Sequence, residues 1–303
     1  MEDQYEPVAR IPMINDDAPA FRANTTQGEI NFPADYKGKW VVLFSHPADF
    51  TPVCTTEFMT FASMIDEFKA MNTELVGLSV DSLYSHIAWL RKIQTMSWKG
   101  IKKPEVTFPV IEDVSMDVAK KYGMIQPNVS STQAVRAVFF IDPVGKIRAM
   151  IYYPQSLGRN FAEIKRVIAA LQTADEQNCA TPANWKPGDD VIVPVPGSCG
   201  TAKERVESKD EGVKSLDWFL SFKADKNAKP HAKRGRKPKA AEAPADTPVQ
   251  QPEAAPAPKK RGRKPKNQTV QATAQPVVAE VQQPEAAPAP KKRGRKPKNQ
   301  TVQ

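Results

Sequence analysis

Cys54 is the residue of this 303-residue chain best placed to do chemistry. It follows the apolar run 40–44, which predicts a buried strand. It heads the stretch 55–68, where Phe58, Phe61, Ile65 and Phe68 recur at helical spacing. A thiol at the point where a strand-leaving loop becomes the first turn of a helix meets unpaired backbone N–H groups and the positive end of the helix dipole. Both favour the thiolate, which is the nucleophilic form. In an arbitrary sequence a lone cysteine is more often an inert buried thiol, so the neighbours must decide.

The neighbours are specific. Pro47, Thr51 and Cys54 follow the order P-x-x-x-T-x-x-C inside the string HPADFTPVCTTEF. That string resembles the active-site loop of the peroxiredoxins, closest to the branch of one-cysteine and long archaeal enzymes. The resemblance implies a thiol peroxidase of thioredoxin-like fold with Cys54 as nucleophile, acting on hydrogen peroxide or small organic hydroperoxides. The chemistry is consistent with these residue types. A proline shields the sulfur from bulk water, and a threonine hydroxyl can donate to one peroxide oxygen while accepting from the other, which holds the O–O bond in line.

A thiolate and a polarised peroxide both need fixed positive charge nearby. Arg136 interrupts the apolar run 134–140, and arginine is almost never buried without a partner. The family resemblance places such an arginine against the thiolate. Arg159 matches a second family arginine, although by itself it reads equally as a solvated charge at a helix start. Glu57 matches a carboxylate that orients the two; otherwise it is a favourable acid for a first helical turn. His46 precedes the loop proline, as in the same branch. It either lies near the oxidised sulfur and substrate or is a polar residue filling the pocket. With three histidines in the chain and no Cys/His pair at zinc-site spacing, neither a metal nor a cofactor is expected.

Peroxide attack would leave Cys54 as a sulfenic acid, which needs a second thiol. Archaeal relatives carry two C-terminal cysteines at positions matched here by Ser215 and Ser221, so this chain departs from their pattern. The remaining cysteines are Cys199, expected on a mobile glycine-rich loop, and Cys179, expected to close a helix. Either could resolve Cys54, but the reading favoured is a one-cysteine cycle with an external thiol, thioredoxin-like or of low molecular weight, as reductant.

The elements that must position these residues alternate. A β segment covers 8–40 with a hairpin signal at 24–32. Strands are expected at 40–44, 75–80 and 109–111, helices at 55–71, 82–93 and 116–122, a hairpin joining 135–141 to 146–152, and a helix at 161–171. Alternation of this kind predicts an α/β sheet covered by helices on both sides. The domain reading is a thioredoxin-like peroxiredoxin domain at 1–173 and a small C-terminal dimerisation domain at 174–223, with a strand at 191–195. The resemblance implies a homodimer or a higher oligomer of dimers.

Charge separates the rest. Residues 224–303 hold 19 Lys/Arg against 6 Asp/Glu, and the body holds 24 against 28. The tail is rich in Ala, Pro, Lys and Gln and is expected to be disordered. Residues 249–271 recur identically at 281–303, and a Lys/Arg-Gly-Arg block occurs three times, at 232–239, 259–266 and 291–298. These blocks resemble AT-hooks, with cores Arg234-Gly235-Arg236, Arg261-Gly262-Arg263 and Arg293-Gly294-Arg295. Arginines would enter a narrow minor groove while flanking lysines neutralise phosphates. Lys237, Lys264 and Lys296 stand before the proline, a departure from the Arg-Gly-Arg-Pro pattern that bears on A·T selectivity. Three tethered copies favour multivalent DNA binding over a merely solubilising or lipid-binding tail. The sequence therefore supports a DNA-tethered peroxidase or, alternatively, a DNA-organising or redox-sensing protein that uses the same body for dimerisation. Lacking signal-peptide and membrane-span patterns, the chain is expected in the cytoplasm, at the nucleoid if the tail binds DNA.

Overall fold

The computed structural model describes residues 11–207 and 212–228. Its first part is a seven-stranded sheet of order β2-β1-β7-β4-β3-β8-β9. The strands are β1 (Phe21–Thr25), β2 (Gly28–Phe32), β3 (Trp40–Ser45), β4 (Thr73–Ser79), β7 (Val110–Glu112), β8 (Arg136–Ile141) and β9 (Ile147–Tyr153). A separate ribbon pairs β5 (Ser97–Trp98) with β6 (Ile101–Lys102). β3, β4 and β7 run parallel, and every other neighbouring pair is antiparallel: β3 with β8 and β8 with β9 on one side, β7 with β1 and β1 with β2 on the other.

The sheet is buried on both faces, and the two-residue period of a strand assigns each side chain. Val42, Phe44, Leu75, Val138 and Phe140 face one core; Val41, Leu43, Val76, Leu78, Phe139 and Ile141 face the other. The first core is closed by α1 (Pro52–Ala70), α2 (Leu83–Ile93) and α4 (Phe161–Gln177) through Phe58, Phe61, Trp89, Ile93, Ile164 and Ile168. The second is closed by the short α3 (Asp117–Lys121) with Tyr122 and the β1/β2 hairpin. Gly77 matters for this packing, since a Cβ there would lie 3.2 Å from the Phe44 ring and 3.4 Å from Phe58. Arg136 has the same parity as Val138 and Phe140, so strand geometry aims it at the α1 face.

Local chemistry explains the boundaries. Pro52 stands at the first helical position of α1, where its missing N–H costs nothing. The chain leaves α1 through Asn72 at φ 49, a left-handed turn that asparagine tolerates, and enters β4. Ser82 caps α2 by accepting from the Ser85 N–H, as the sequence predicts. Asn160 caps α4 in the same way, accepting from Ala162 and Glu163. α4 outruns its apolar stripe by two turns because the extension is held by polar contacts: buried Gln177 donates to Asp225 at 2.6 Å.

The C-terminal part is a small sheet of order β10-β12-β11, from β10 (Val191–Ile192), β11 (Val213–Asp217) and β12 (Leu220–Lys223), with α5 (Cys199–Glu207) before the last hairpin. Of the expected 191–195 strand, Val191 and Ile192 form β10 and the Val193 N–H adds one more bond, to the Ser221 carbonyl at 2.9 Å, while the apolar stretch 215–222 is a hairpin. Ser215 and Ser221 face each other across it, their hydroxyls 2.8 Å apart. Cys199 does not sit on a loop as expected. It begins α5, whose first turn is closed by Ser198 accepting from the Thr201 N–H. Among the described residues no helix is long and apolar enough to cross a membrane. Residues 224–228, expected to open the disordered tail, pack on the body instead, where Asp225 is buried against Gln177; residues 229–303, with the three basic blocks, lie outside the described residues.

Candidate active site

β3 ends at Ser45, and residues 46–51 carry the chain to α1. Ser45 ties this end of β3 to β8: its hydroxyl donates to the Val135 carbonyl at 2.6 Å and accepts from the Ala137 N–H at 3.1 Å. The loop folds on itself where Phe50 adopts a left-handed φ of 56, a costly conformation for a bulky side chain that marks a built-in constraint. Asp81, at the end of β4, accepts from the Asp49 N–H at 3.0 Å and pins the loop from outside. Thr51 is the N-cap residue of α1, but its hydroxyl donates to Ala48 in the loop, at 2.9 Å, and does not cap the helix. An oxygen arriving there would meet its lone pairs. Pro47 is buried.

Cys54 is the third residue of α1 and fully buried. The backbone N–H groups of Val53 and Cys54 have no intrahelical acceptor, as in any first turn. The sulfur accepts a hydrogen bond from Arg136 Nη1 at 3.2 Å, and the same nitrogen lies 2.8 Å from Glu57 Oε2. Arg136 Nε is spent on the Gln155 carbonyl at 2.9 Å. Glu57, one turn from Cys54, takes both oxygens to Arg159: Nε at 3.0 Å to Oε1 and Nη2 at 2.6 Å to Oε2, with the Arg159 N–H at 2.8 Å. Arg159 Nη1 is shared between the Ser45 and Ala137 carbonyls. Arg159 is buried, so it is not a solvated charge at a helix start. Burial pushes the Glu57 carboxyl upward, but Arg159 and then Arg136 outweigh it and hold the group below the usual carboxylate range. Two permanent cations and one anion leave net positive charge beside the sulfur, which stabilises an anionic thiolate.

A second buried cluster shares the loop. Asp49 lies between two histidines, with Oδ1 3.0 Å from His46 Nε2 and Oδ2 2.8 Å from His86 Nδ1. His86 Nε2 faces the Ile111 carbonyl at 3.1 Å. All three are buried, and their ligand-type atoms lie within 4.8 Å of one another. Yet contacts of this length are proton-sharing distances; two ligand atoms on one tetrahedral zinc at about 2.0 Å stand about 3.3 Å apart. The cluster is hydrogen-bonded in character. Of the three, the sequence singles out His46 alone; Asp49 lies three residues further along the same loop motif. His86 had a signal too, since it falls on the apolar stripe of α2 with Leu90 and Ile93.

The structure thus gathers Cys54, Glu57, Arg136 and Arg159 at one point, with Thr51 and Pro47 on the same loop and His46 in the adjoining cluster. It does not bring in the other thiols as disulfide partners. Cys54, Cys179 and Cys199 are all free. Cys179 is half-buried just past α4, and burial raises its thiol above the usual value, making it a poorer nucleophile. Cys199 is exposed.

Residues 14–150 match the AhpC/TSA family, and residues 170–209 match the C-terminal domain of 1-Cys peroxiredoxin. A peroxiredoxin of Methanosarcina mazei is 64% identical over 216 residues, which are 71% of this chain and 99% of that protein. A peroxiredoxin of Aquifex aeolicus is 51% identical over 226 residues, 71% of this chain and 98% of that one. Among solved structures, a yeast mitochondrial 1-Cys peroxiredoxin, described by its thiol resolution through glutathione and thioredoxin systems, superposes with a TM-score of 0.61. It is 42% identical, over 71% of this chain and all of that one.

Proposed function

The chain belongs to the peroxiredoxin family and is a thiol-dependent peroxidase, and from that premise we propose that it reduces hydrogen peroxide and small organic hydroperoxides at Cys54 while its tail holds it on DNA. The observation that carries the site assignment is the Arg136 guanidinium, bonded at once to Cys54 Sγ at 3.2 Å and to Glu57 at 2.8 Å. The thiolate attacks one peroxide oxygen. An S–O bond forms, the O–O bond breaks, and its electron pair leaves on the second oxygen, which takes a proton to give water or an alcohol. Arg136 stabilises the sulfur and the developing charge, Thr51 aligns the peroxide, and Pro47 keeps water from the sulfur. Glu57 fixes Arg136, while Arg159 fixes Glu57 and the end of β3. His46 contributes to the substrate side of the pocket.

The sulfenic acid that results condenses with an incoming thiol to a mixed disulfide and water, and a second thiol releases Cys54. An external thiol fits the free state of all three cysteines, with exposed Cys199 the better internal alternative and Cys179 the poorer. The exposed side chains of Leu216, Trp218 and Phe219 favour a homodimer in which this hairpin is covered by a partner subunit. The body is the shared part of the family. Because 99% of the Methanosarcina relative is used in its match, nothing in it remains to pair with the basic tail, which supports a separate role for those blocks.

One set of proteins tests both halves. Stopped-flow mixing with hydrogen peroxide should show rapid oxidation of the full chain and none of Cys54→Ser; turnover in the serine variant would sink the assignment. Removal of residues 229–303 should abolish duplex binding and its steep salt dependence without altering peroxide turnover. Equal affinity for A·T-rich and G·C-rich duplexes would reduce the hooks to plain electrostatics.

A further inference from the structure

The chemistry above places His46 on the substrate side but leaves Asp49 and His86 without a task, and the proton count of the three is constrained by geometry. A carbonyl only accepts, so His86 Nε2, facing Ile111 O at 3.1 Å, carries a proton. A neutral imidazole has one ring proton. His86 Nδ1 would then meet Asp49 Oδ2 lone pair to lone pair at 2.8 Å, so a further proton lies between them. The other carboxylate oxygen faces His46 Nε2 at 3.0 Å. The His46 proton belongs there; on Nδ1 it would leave Nε2 bare against the carboxylate and an N–H buried without an acceptor. Nδ1 is therefore a lone pair. It is fully buried and has no hydrogen-bond partner among the described residues. Such an atom is destabilising unless something uses it.

Its surroundings tie the ring to the helix that carries Cys54. The His46 ring packs edge-on against Phe58, centroids 4.8 Å apart, and stacks on Trp89 at 5.2 Å. Phe58 is one helical turn beyond Cys54, and Trp89 Nε1 donates to Thr55, the residue after it. The charged groups around the cluster are Asp49 in the loop, Asp81 behind it, His86 on α2, Glu112 on β7 and Arg159 ahead of α4. Burial above all, aided by the charges of His86 and Arg159, keeps His46 neutral by outweighing its bond to Asp49.

We propose that Asp49 and His86 are positioning residues of the peroxidatic loop: the proton they share anchors the carboxylate that fixes His46 as its Nε2–H tautomer, reserving Nδ1 as a buried acceptor for a hydroxyl that arrives at Cys54. The inference rests on the assignment of Cys54 as the oxidised residue. It explains why the loop uses histidine, since an arginine offers no acceptor at all.

Nitrogen-15 NMR of the histidine rings in the full chain reads the tautomers directly. In the reduced protein His46 should show a bare Nδ1 and a protonated Nε2, and one equivalent of hydrogen peroxide should shift the Nδ1 signal. Asp49→Ala should scramble the tautomer and slow oxidation of Cys54 roughly tenfold. Asp49→Asn should restore both, because its carbonyl can accept from His46 while its amide donates to a neutral His86. A proton on Nδ1 in the reduced wild type overturns the inference, as does an unmoved Nδ1 signal after oxidation. So does an Asn variant that keeps the tautomer yet stays as slow as alanine. If the alanine variant does not fold, the wild-type spectra alone decide. Peroxide that leaves wild-type Cys54 unoxidised would instead defeat the peroxidase assignment itself.

Discussion

Two carboxylates flank the same loop, each buried between two nitrogen-bearing side chains, and they are built for different purposes. Glu57 lies between Arg136 and Arg159, whose charge is permanent. Asp49 lies between His46 and His86, which can each gain or lose a proton. In the first cluster the donors of both guanidinium groups converge on the sulfur, the carboxylate and three backbone carbonyls, so charge and shape are fixed together. In the second, one ring nitrogen is left over. The difference teaches that fixed positive charge and a free acceptor cannot come from one residue type. Arginine supplies only donors, and histidine supplies an acceptor only while it stays neutral.

The largest effect should follow from breaking the arginine side at the sulfur. Arg136→Met removes the donor 3.2 Å from Cys54 and leaves Glu57 to Arg159. Loss of one preorganised donor of this kind costs about 100-fold in rate. Second-order rates of Cys54 oxidation at neutral pH would check this, and a loss smaller than that of Asp49→Ala would reverse the ranking of the two clusters.

The next effect is on stability and bears on permanent against titratable charge. Glu57→Gln leaves two buried guanidinium groups without a counter-charge, and removing one partner from such a set costs roughly 3–5 kcal/mol. Asp49→Asn should cost under about 2 kcal/mol, because His86 can shed its second proton while the amide keeps both hydrogen bonds. Urea unfolding of the two variants makes the comparison. Equal losses would mean that the histidine cluster is as firmly charged as the arginine cluster.

Much of this was legible in the chain beforehand. The run 40–44, the stripe of Phe58, Phe61 and Phe68, and the Ser82 cap are local signals, and each element stands where its signal falls. The loop motif and Arg136 were legible because a charge inside an apolar strand needs a reason. What escaped was polar and non-local. Thr173 and Gln177 extend α4 as buried polar residues, which periodicity of apolar residues does not register. Gly200 disguised the start of α5, where the local bonding of Ser198 to Thr201 outweighs the glycine penalty. Asp49 and His86 come from a loop and a helix 37 residues apart, and only the parallel pairing of β3 with β4 brings them together.

The smallest effect is the most specific to histidine. The folded His46 is held below its ordinary value, with burial as the main cause. As pH falls through 6.5, the unfolded chain takes up a proton at this position that the folded chain refuses. The unfolded state then binds more protons, so stability declines with falling pH. Asp49 and Glu57 act lower down. Burial raises both and their partners outweigh it, so their folded values are depressed. Their stabilisation is complete above the ordinary carboxylate range and lost only as pH falls through the folded values. Between about pH 7.5 and about pH 5, the difference in stability between wild type and His46→Gln therefore isolates the ring. The wild-type advantage should shrink steadily across that window in urea unfolding. A gap that instead widens as pH falls would mean that His46 takes up its proton more readily in the folded protein than in the unfolded chain, and then Nδ1 would be a donor and the contrast between the two clusters would disappear.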